Sequence, residues 1–175
     1  MRSSSLERIE SDSYKQLYDR YAKAMFNTSL RIVNNIADAE DILQESFVDA
    51  FKGLDDFRGS STFGAWMKRI VINKSINKIK RQRLNWLEIE KTEAFSIADV
   101  EDTDEIDIEY KVEEVKKAIM LLSNGFRTVL SLRLLENCKF EEIAELLKIS
   151  NNTARSQYVR AKKKLLEIIK SQRTS

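Results

Sequence analysis

The 175-residue chain carries 30 lysine and arginine residues, 28 aspartate and glutamate residues and no histidine, and its formal net charge is +2. Its single cysteine, Cys138, and the lack of histidine exclude a disulfide framework, a Cys/His zinc site and a histidine-based nucleophile triad. There is no proline and there are only four glycines, which favours long helices over a sheet with many tight turns. We therefore expect an all-α protein.

The distribution of apolar residues predicts a cytoplasmic protein with neither a signal peptide nor a membrane span. The N-terminal segment MRSSSLERIESDSY has no apolar run, and no stretch of about 18 consecutive apolar residues occurs in the chain. The length fits one medium or two small domains, and we expect two.

The charges are separated into three blocks. Residues 1–85 carry 15 basic and 11 acidic side chains, residues 86–114 carry 2 and 12, and residues 115–175 carry 13 and 5. Much of the N-terminal basic charge lies in KRIVINKSINKIKRQR, from Lys68 to Arg83. Two basic blocks around an acidic centre predict two separate contacts with a polyanion. The alternative is that lysine-rich helix faces only keep the protein soluble.

Three helices are predicted in the N-terminal half, over residues 10–85. In YKQLYDRYAKAMFNTSLRIV and in DAEDILQESFVDAFKGL, apolar residues recur at steps of three and four, as in amphipathic helices. A loop, DDFRGSST, precedes a third helix from about Phe63 to about Arg83. Residues 10–85 are therefore predicted to form a small helical bundle.

A second helical domain is predicted over residues 112–172. The preceding segment, residues 86–111, is acidic and has no sustained period, so it is interpreted as a flexible linker. Within the second domain, FEEIAELLKISNNTARSQYVRAKKKL is a helix-turn-helix candidate, because an apolar stripe on each of its two helices allows them to pack together. Ser150 is the expected N-cap of the second helix.

The first turns and outer face of that second helix carry residue types that contact DNA. Amides, hydroxyls and guanidinium groups can reach base edges, while lysines contact phosphates. Basic helical hairpins without a DNA function are the alternative. The candidate DNA-binding residues on this helix are Asn152, Thr153, Arg155, Ser156, Val159, Arg160 and Lys163.

Over nearly its whole length the chain resembles the extracytoplasmic-function group of bacterial sigma factors. The block FRTVLSLRLLENCKFEEIAELLKISNNTARSQYVRAKKKL is similar to the family's fourth region, which reads promoters. The block NNIADAEDILQESFVDAFKGLDDFRGSSTFGAWMKRIVINKSINKIKRQR is similar to its second region. Asn137 and Lys148 stand where the family usually has glycine, and a residue other than glycine in a left-handed turn costs about 1 kcal/mol.

The resemblance implies an alternative sigma factor, which binds core RNA polymerase and directs promoter-specific transcription initiation. Residues 112–172 would read the minus-thirty-five element of promoter DNA, and residues 10–85 would recognise and melt the minus-ten element. The implied polymerase contacts are the β′ clamp helices and the β flap, and an anti-sigma factor is a further candidate partner. No cofactor, metal ion or membrane insertion is expected.

An acidic face of the second helix is the candidate polymerase-binding surface. Asp38, Asp41 and Glu45 lie at positions i, i+3 and i+7, with Gln44 beside them. In the family, the corresponding surface meets the clamp-helix coiled coil of the β′ subunit. A merely solvated acidic face is the alternative.

The loop DDFRGSST would hold an unstacked base of the minus-ten element, since such a pocket needs hydroxyls and an aromatic wall. Phe63 and Trp66 could border this pocket, although large aromatics at helical spacing more often belong to a core. Lys68, Lys74 and Lys78 are candidate phosphate contacts. The candidate minus-ten contacts are Phe57, Arg58, Ser60, Ser61, Asn73, Asn77, Lys80 and Arg81.

Three other classes of protein remain open. A helix-turn-helix transcriptional regulator could share the C-terminal domain without being a polymerase subunit, but its N-terminal half would be an α/β receiver or a ligand-binding domain. An RNA-binding or ribosome-associated helical protein is another possibility. An enzyme is disfavoured, because the sequence has no paired acid/base constellation, metal-ligand cluster or glycine-rich phosphate loop.

Overall fold

The computed structural model describes residues 3–54, 57, 61–82 and 112–174, and the side chains among them from residue 13 to residue 173. Within these ranges the chain forms seven α-helices and no strand, which confirms the predicted all-α class. The chain divides into two compact units, residues 1–79 and 80–175. The predicted linker, Arg58 and Ser60 lie outside the described residues, and the predicted domain boundaries stay predictions.

Three helices form the N-terminal unit: α1 (Ser3–Val33), α2 (Ile36–Lys52) and α3 (Phe63–Gln82), whose last residues the division assigns to the second unit. The turn from α1 to α2 is made by Asn34, which has a positive φ of 54°. Asn35 caps α2, because its side-chain oxygen accepts a hydrogen bond from the Asp38 backbone amide at 3.0 Å. Helix α3 ends within one residue of the predicted position.

The core of this unit is apolar and contains one close approach between α1 and α3. The hydroxyl oxygens of Ser29 and Ser75, both fully buried, lie 3.0 Å apart, and Ser75 also donates to the Val71 carbonyl at 2.7 Å. These contacts give both buried hydroxyls a hydrogen-bond partner within the protein. The buried apolar residues of the unit are Met25, Ile32, Val33, Ala39, Ile42, Leu43, Phe47, Ala50, Met67, Val71, Ile72, Ile76 and Ile79.

Four helices form the C-terminal unit: α4 (Val112–Met120), α5 (Asn124–Leu134), α6 (Phe140–Leu147) and α7 (Asn151–Thr174). Helix α7 packs against the other three. Arg127 is buried in this unit, where its guanidinium donates to the Leu122 carbonyl at 2.9 Å and to the Asn124 side-chain oxygen at 2.7 Å. The apolar core joins α4, α5 and α7 through Ala118, Ile119, Leu122, Leu130, Ala161, Leu165 and Ile169.

The turn between α6 and α7 confirms the predicted helix-turn-helix. Lys148 ends α6 in the left-handed conformation, with φ 57° and ψ 47°, and the Ile149 amide donates to the Ala144 carbonyl at 3.0 Å. This is the hydrogen bond that usually closes a helix ending in glycine. Asn137 also has a positive φ of 57°. Both non-glycine residues therefore adopt the conformation for which the family commonly uses glycine.

Replacement of Lys148 by glycine should stabilise the C-terminal unit. Lys148→Gly removes the steric cost of a Cβ at positive φ, so the free energy of unfolding should rise by up to about 1 kcal/mol. Lys163→Gly replaces an exposed lysine within α7. It should lower the free energy of unfolding by about 1 kcal/mol, because glycine is unfavourable in a helix interior. Urea unfolding followed by circular dichroism measures both effects. Equal destabilisation by the two changes would contradict strain at Lys148.

Candidate nucleic-acid interface

The N-terminus of α7 is capped as the sequence predicts. The Ser150 hydroxyl oxygen accepts a hydrogen bond from the Thr153 backbone amide at 3.0 Å and lies 2.8 Å from the Thr153 hydroxyl. The Ser156 hydroxyl donates to the Thr153 carbonyl at 3.1 Å. Two of the predicted DNA-binding hydroxyls therefore already have partners within the helix, and they are less available for base contacts than the sequence suggests.

The predicted DNA-binding residues of α7 divide into an exposed row and a half-buried flank. Ala154, within the first turn, is fully buried and fixes which side of the helix faces the core. Thr153, Ser156 and Arg160 are half-buried, between the core and the surface. The exposed row follows helical spacing and consists of Asn152, Arg155, Val159 and Lys163.

Arg155 is held by three neighbours. Its Nε donates to the Asn151 side-chain oxygen at 2.7 Å, and its Nη2 lies 3.7 Å from Oε1 of Glu141. The guanidinium carbon lies 4.7 Å from the centre of the Phe140 ring, a cation–π distance. Asn151 also donates to Oε1 of Glu141 at 2.9 Å. The side chain of Arg155 nevertheless remains 53% exposed.

The environment of Glu141 keeps its carboxyl group ionised. Its pKa is lowered by a hydrogen bond from its own backbone amide, the largest cause, and then by the hydrogen bond from Asn151. The positive charge of Arg155 contributes further. A carboxylate therefore faces the guanidinium at neutral pH.

Phe140 and Glu141 are not among the residues that the sequence predicts to contact DNA, whereas Asn151 belongs to the first turn of the predicted recognition helix. Both residues begin FEEIAELL, the first helix of the predicted helix-turn-helix, which the apolar stripes predict only to pack against the second helix. The contacts of both residues with Arg155 cross the turn, so no periodic pattern indicates them. The spacing of Asn151 and Arg155, i and i+4 on α7, is the one available signal.

The acidic face predicted on α2 is partly paired with α3. Asp38 contacts Lys78 at 3.0 Å, and Lys74 contacts Glu45 at 3.4 Å and Asp49 at 2.7 Å. The pKa of Lys74 is raised mainly by its hydrogen bond to Asp49, and that of Lys78 by its hydrogen bond to Asp38. Lys74 and Lys78, both candidate phosphate contacts, therefore bind carboxylates. Two of these carboxylates, Asp38 and Glu45, belong to the candidate polymerase surface.

Asp41 and Gln44, the other two members of the predicted polymerase surface, are exposed on α2. Glu45 is also largely exposed, with 66% of its side chain accessible, despite its contact with Lys74. Asp38 is the least accessible of the four, at 18%. The face thus has an accessible centre at Asp41, Gln44 and Glu45, while Asp38 lies against α3.

The predicted minus-ten residues meet an aromatic cluster at the start of α3. The ring of Phe57 lies 5.0 Å from that of Trp66 and 6.5 Å from that of Phe63, and Phe63 lies 5.3 Å from Tyr21. Phe57, Phe63 and Trp66 are all half-buried. The cluster therefore packs on the bundle and also presents aromatic surface to solvent, so neither a pure core nor a fully open pocket describes it.

The remaining minus-ten candidates lie beside that cluster or along α3. Ser61 is exposed immediately before α3, and its hydroxyl donates to the Thr62 carbonyl at 3.4 Å. Asn73, Asn77 and Arg81 are exposed at four-residue steps on α3, which gives them a common face. Lys80, in the last turn of α3, is half-buried.

Within residues 3–54, 57, 61–82 and 112–174, no group of three or more histidine, cysteine or acidic residues could hold a metal ion. Among the helices so described, none contains an apolar stretch of the length needed to cross a bilayer.

Comparison with known proteins gives two family matches in the expected order. The Sigma-70 region 2 family matches residues 17–84, and the Sigma-70 region 4 family matches residues 113–165. The first match covers α2, α3 and most of α1, and the second covers α5, α6 and most of α4 and α7. An N-terminal α/β receiver is therefore excluded.

Curated relatives match across most of their own length. The chain is 30% identical over 138 residues to RNA polymerase sigma factor YlaC of Bacillus subtilis, covering 78% of this chain and 80% of YlaC. It is 24% identical over 173 residues to the ECF sigma factor SigW of the same organism, covering 94% of this chain and 92% of SigW. It is 28% identical over 166 residues to RNA polymerase sigma-H factor of Pseudomonas aeruginosa, covering 90% of this chain and 86% of the sigma-H factor.

Solved structures share the fold. The sigma factor RpoE of Bartonella quintana, in complex with the anti-sigma factor NepR, gives a TM-score of 0.57 at 22% identity and covers 90% of this chain and 97% of its own. CnrH, in complex with the cytosolic domain of CnrY, gives a TM-score of 0.53 at 24% identity and covers 92% of this chain and 90% of its own. Both regions, in the same order along the chain, show that this protein belongs to the extracytoplasmic-function group of bacterial RNA polymerase sigma factors.

Proposed function

We propose that this sigma factor directs core RNA polymerase to its promoters through three separate surfaces. The exposed row of α7 reads the minus-thirty-five element, α3 and the aromatic cluster bind the minus-ten element, and the acidic face of α2 binds the polymerase. The observation that supports this proposal best is the row of α7, where Arg155 and Lys163 are exposed on the side opposite to buried Ala154.

The row of α7 combines two kinds of DNA contact. Arg155, near the N-terminus of the helix, has the donor geometry to bind guanine O6 and N7 together, and Asn152 is an amide that can read a neighbouring base edge. Lys163 lies two turns further along, where a point charge suits a phosphate. The half-buried Thr153, Ser156 and Arg160 would contact the backbone from the flank of the helix.

The minus-ten element would be bound as a single strand. An aromatic surface made by Phe57 and Trp66 can stack an unpaired base, and the neighbouring Ser61 hydroxyl can hydrogen-bond to it. The α3 face with Asn73, Asn77 and Arg81 would lie against the adjoining duplex, with Lys80 at its end. Arg58 and Ser60, in the same loop, belong to this proposal on sequence grounds alone.

Core RNA polymerase is the proposed partner of the acidic face on α2. Asp41, Gln44 and Glu45 give an accessible acidic surface that is complementary to a basic helical coiled coil such as the β′ clamp helices. The β flap is the proposed partner of the C-terminal unit. An anti-sigma factor is a further proposed partner, since the similar sigma factor RpoE of Bartonella quintana forms a complex with the anti-sigma factor NepR.

The proposed role is one of binding, without chemistry of its own. Sigma factors recruit the polymerase, which carries out the nucleotidyl transfer. We expect this chain to act in the bacterial cytoplasm, because the polymerase and the promoters are found there.

Arg155→Ala should lower discrimination at one base pair of the minus-thirty-five element by about 1–3 kcal/mol, because a bidentate base contact is lost. The element is first selected from a random duplex library with wild-type holoenzyme. The preferences of the variant holoenzyme are then measured at each position. Assembly with core polymerase should be unchanged. Equal weakening on cognate and scrambled sequences would contradict the assignment of Arg155 as a base reader.

Lys163→Ala should weaken binding on every sequence, because a phosphate contact carries no sequence information. The slope of log K against log salt should become shallower by about 0.9, the value for one released counterion. Fluorescence anisotropy of the variant holoenzyme across a salt series measures this slope. A loss confined to the selected element would instead make Lys163 a base contact.

Asp41→Lys should weaken assembly with core polymerase, by roughly threefold or more at low salt, because it reverses a charge at the centre of the acidic face. Glu40→Lys is the matched control: it makes the same charge change at the adjacent exposed position, outside the Asp38, Asp41 and Glu45 row. Assembly is measured by titrating labelled sigma factor with core enzyme. Equal weakening by both variants would indicate a general charge effect and contradict this surface.

A further inference from the structure

The contacts of Arg155 occupy one edge of its guanidinium. The Nε donates to Asn151 at 2.7 Å, and Nη2 lies 3.7 Å from Glu141, so both nitrogens on that edge face acceptors. The ring of Phe140 lies 4.7 Å from the guanidinium carbon and supports one face of the group. The guanidinium has five N–H donors in a fixed planar fork. The end of the fork formed by Nη1 and Nη2 retains two parallel donors.

Two parallel donors at the end of the fork match the two acceptors of guanine in the major groove, O6 and N7. An arginine on a helix surface otherwise populates many rotamers, and ordering them opposes binding. A neighbouring phosphate would also compete for an unrestrained guanidinium, since phosphate oxygens accept the same forked hydrogen bonds. A group that orients Arg155 before binding therefore favours base contact over phosphate contact.

Glu141 and Asn151 support each other in this arrangement. Asn151 donates to Oε1 of Glu141 at 2.9 Å while its own oxygen accepts from Arg155, so the amide orientation is determined at both ends. The carboxylate adds an opposite charge close to the guanidinium. The three contacts come from the start of α6 and the start of α7, two elements whose separation is set by the core.

We propose that Phe140, Glu141 and Asn151 form a cradle that positions Arg155 and thereby determines the base preference of this sigma factor at one position of the upstream element. The inference rests on the proposed function of Arg155. In this scheme the three residues are positioning residues: they act through the guanidinium and need not touch DNA. Guanine is the base that the retained donor pair recognises.

The test compares base preferences of holoenzymes, position by position, on a duplex library randomised around the element selected by the wild-type protein. Asn151→Ala removes the acceptor for Arg155 and the support of Glu141, and Glu141→Ala removes the charge. Each should lower the preference at the Arg155 position by roughly three- to fivefold, the range for exposed charged contacts, and leave the other positions unchanged. Asn151→Asp keeps an acceptor for Nε and should restore part of the preference.

Glu145→Gln is the matched control for charge. It removes one carboxylate from the exposed face of α6, one turn after Glu141, and should leave the preference at that position unchanged. In the Arg155→Ala background, Asn151→Ala should cause no further loss, because the residue that it positions is absent.

The outcomes separate the inference from the function on which it rests. If Arg155→Ala leaves every base preference unchanged, the proposed role of Arg155 is wrong. If Arg155→Ala abolishes one base preference while Asn151→Ala and Glu141→Ala do not alter it, the proposed positioning role of the cradle is wrong. The role of Arg155 as a base reader then still stands. A uniform loss of binding by Asn151→Ala at all positions would also overturn the cradle, since it would indicate a structural role at the helix start.

Discussion

The outer face of α7 depends on the burial of its inner face. Ala154 and Ala161 are fully buried, and with Leu165 and Ile169 they hold one side of the helix against the rest of the C-terminal unit. Successive residues of an α-helix are separated by about 100°, so burial of this row determines which side chains point outward. A shift of one position in the sequence would turn Arg155 toward the core. The buried row, which includes Ala154 and Ala161, therefore determines which residues of α7 are exposed to solvent.

The turn before α7 determines where that helix begins and which residues of α6 it meets. Lys148 adopts a left-handed conformation that disfavours a residue with a Cβ, and Ser150 then caps the next helix. This start brings Asn151 within hydrogen-bonding distance of Glu141, at 2.9 Å. The local strain at Lys148 is compensated by packing and capping on both sides of the turn. The cradle around Arg155 is thus a consequence of backbone geometry as much as of side-chain chemistry.

The sequence predicted those parts of the structure that repeat or that act locally. Apolar periodicity indicated the helices, and the Ser150 cap followed from a local capping rule, whereas the left-handed turns at Asn137 and Lys148 were implied by the family resemblance. The cradle could not be predicted, because Glu141 and Arg155 lie on different helices and charge spacing across a turn has no period. The aromatic spacing of Phe63 and Trp66 likewise could not distinguish a core from a pocket wall, and both residues are half-buried.

The acidic face of α2 pairs with α3 in the free protein and is also the surface proposed to bind the polymerase. Lys74 and Lys78 bind Glu45, Asp49 and Asp38, and the side chains of Glu45 and Asp49 remain 66% and 54% exposed. Ion pairs with such exposure stabilise a fold only weakly, because water and salt replace the partner at little cost. A basic surface on the polymerase could therefore take Glu45 from Lys74 without unfolding the bundle, and Asp49 would still neutralise that lysine. The fold of the N-terminal unit depends instead on its apolar core, so its surface charges can change partners when a complex forms.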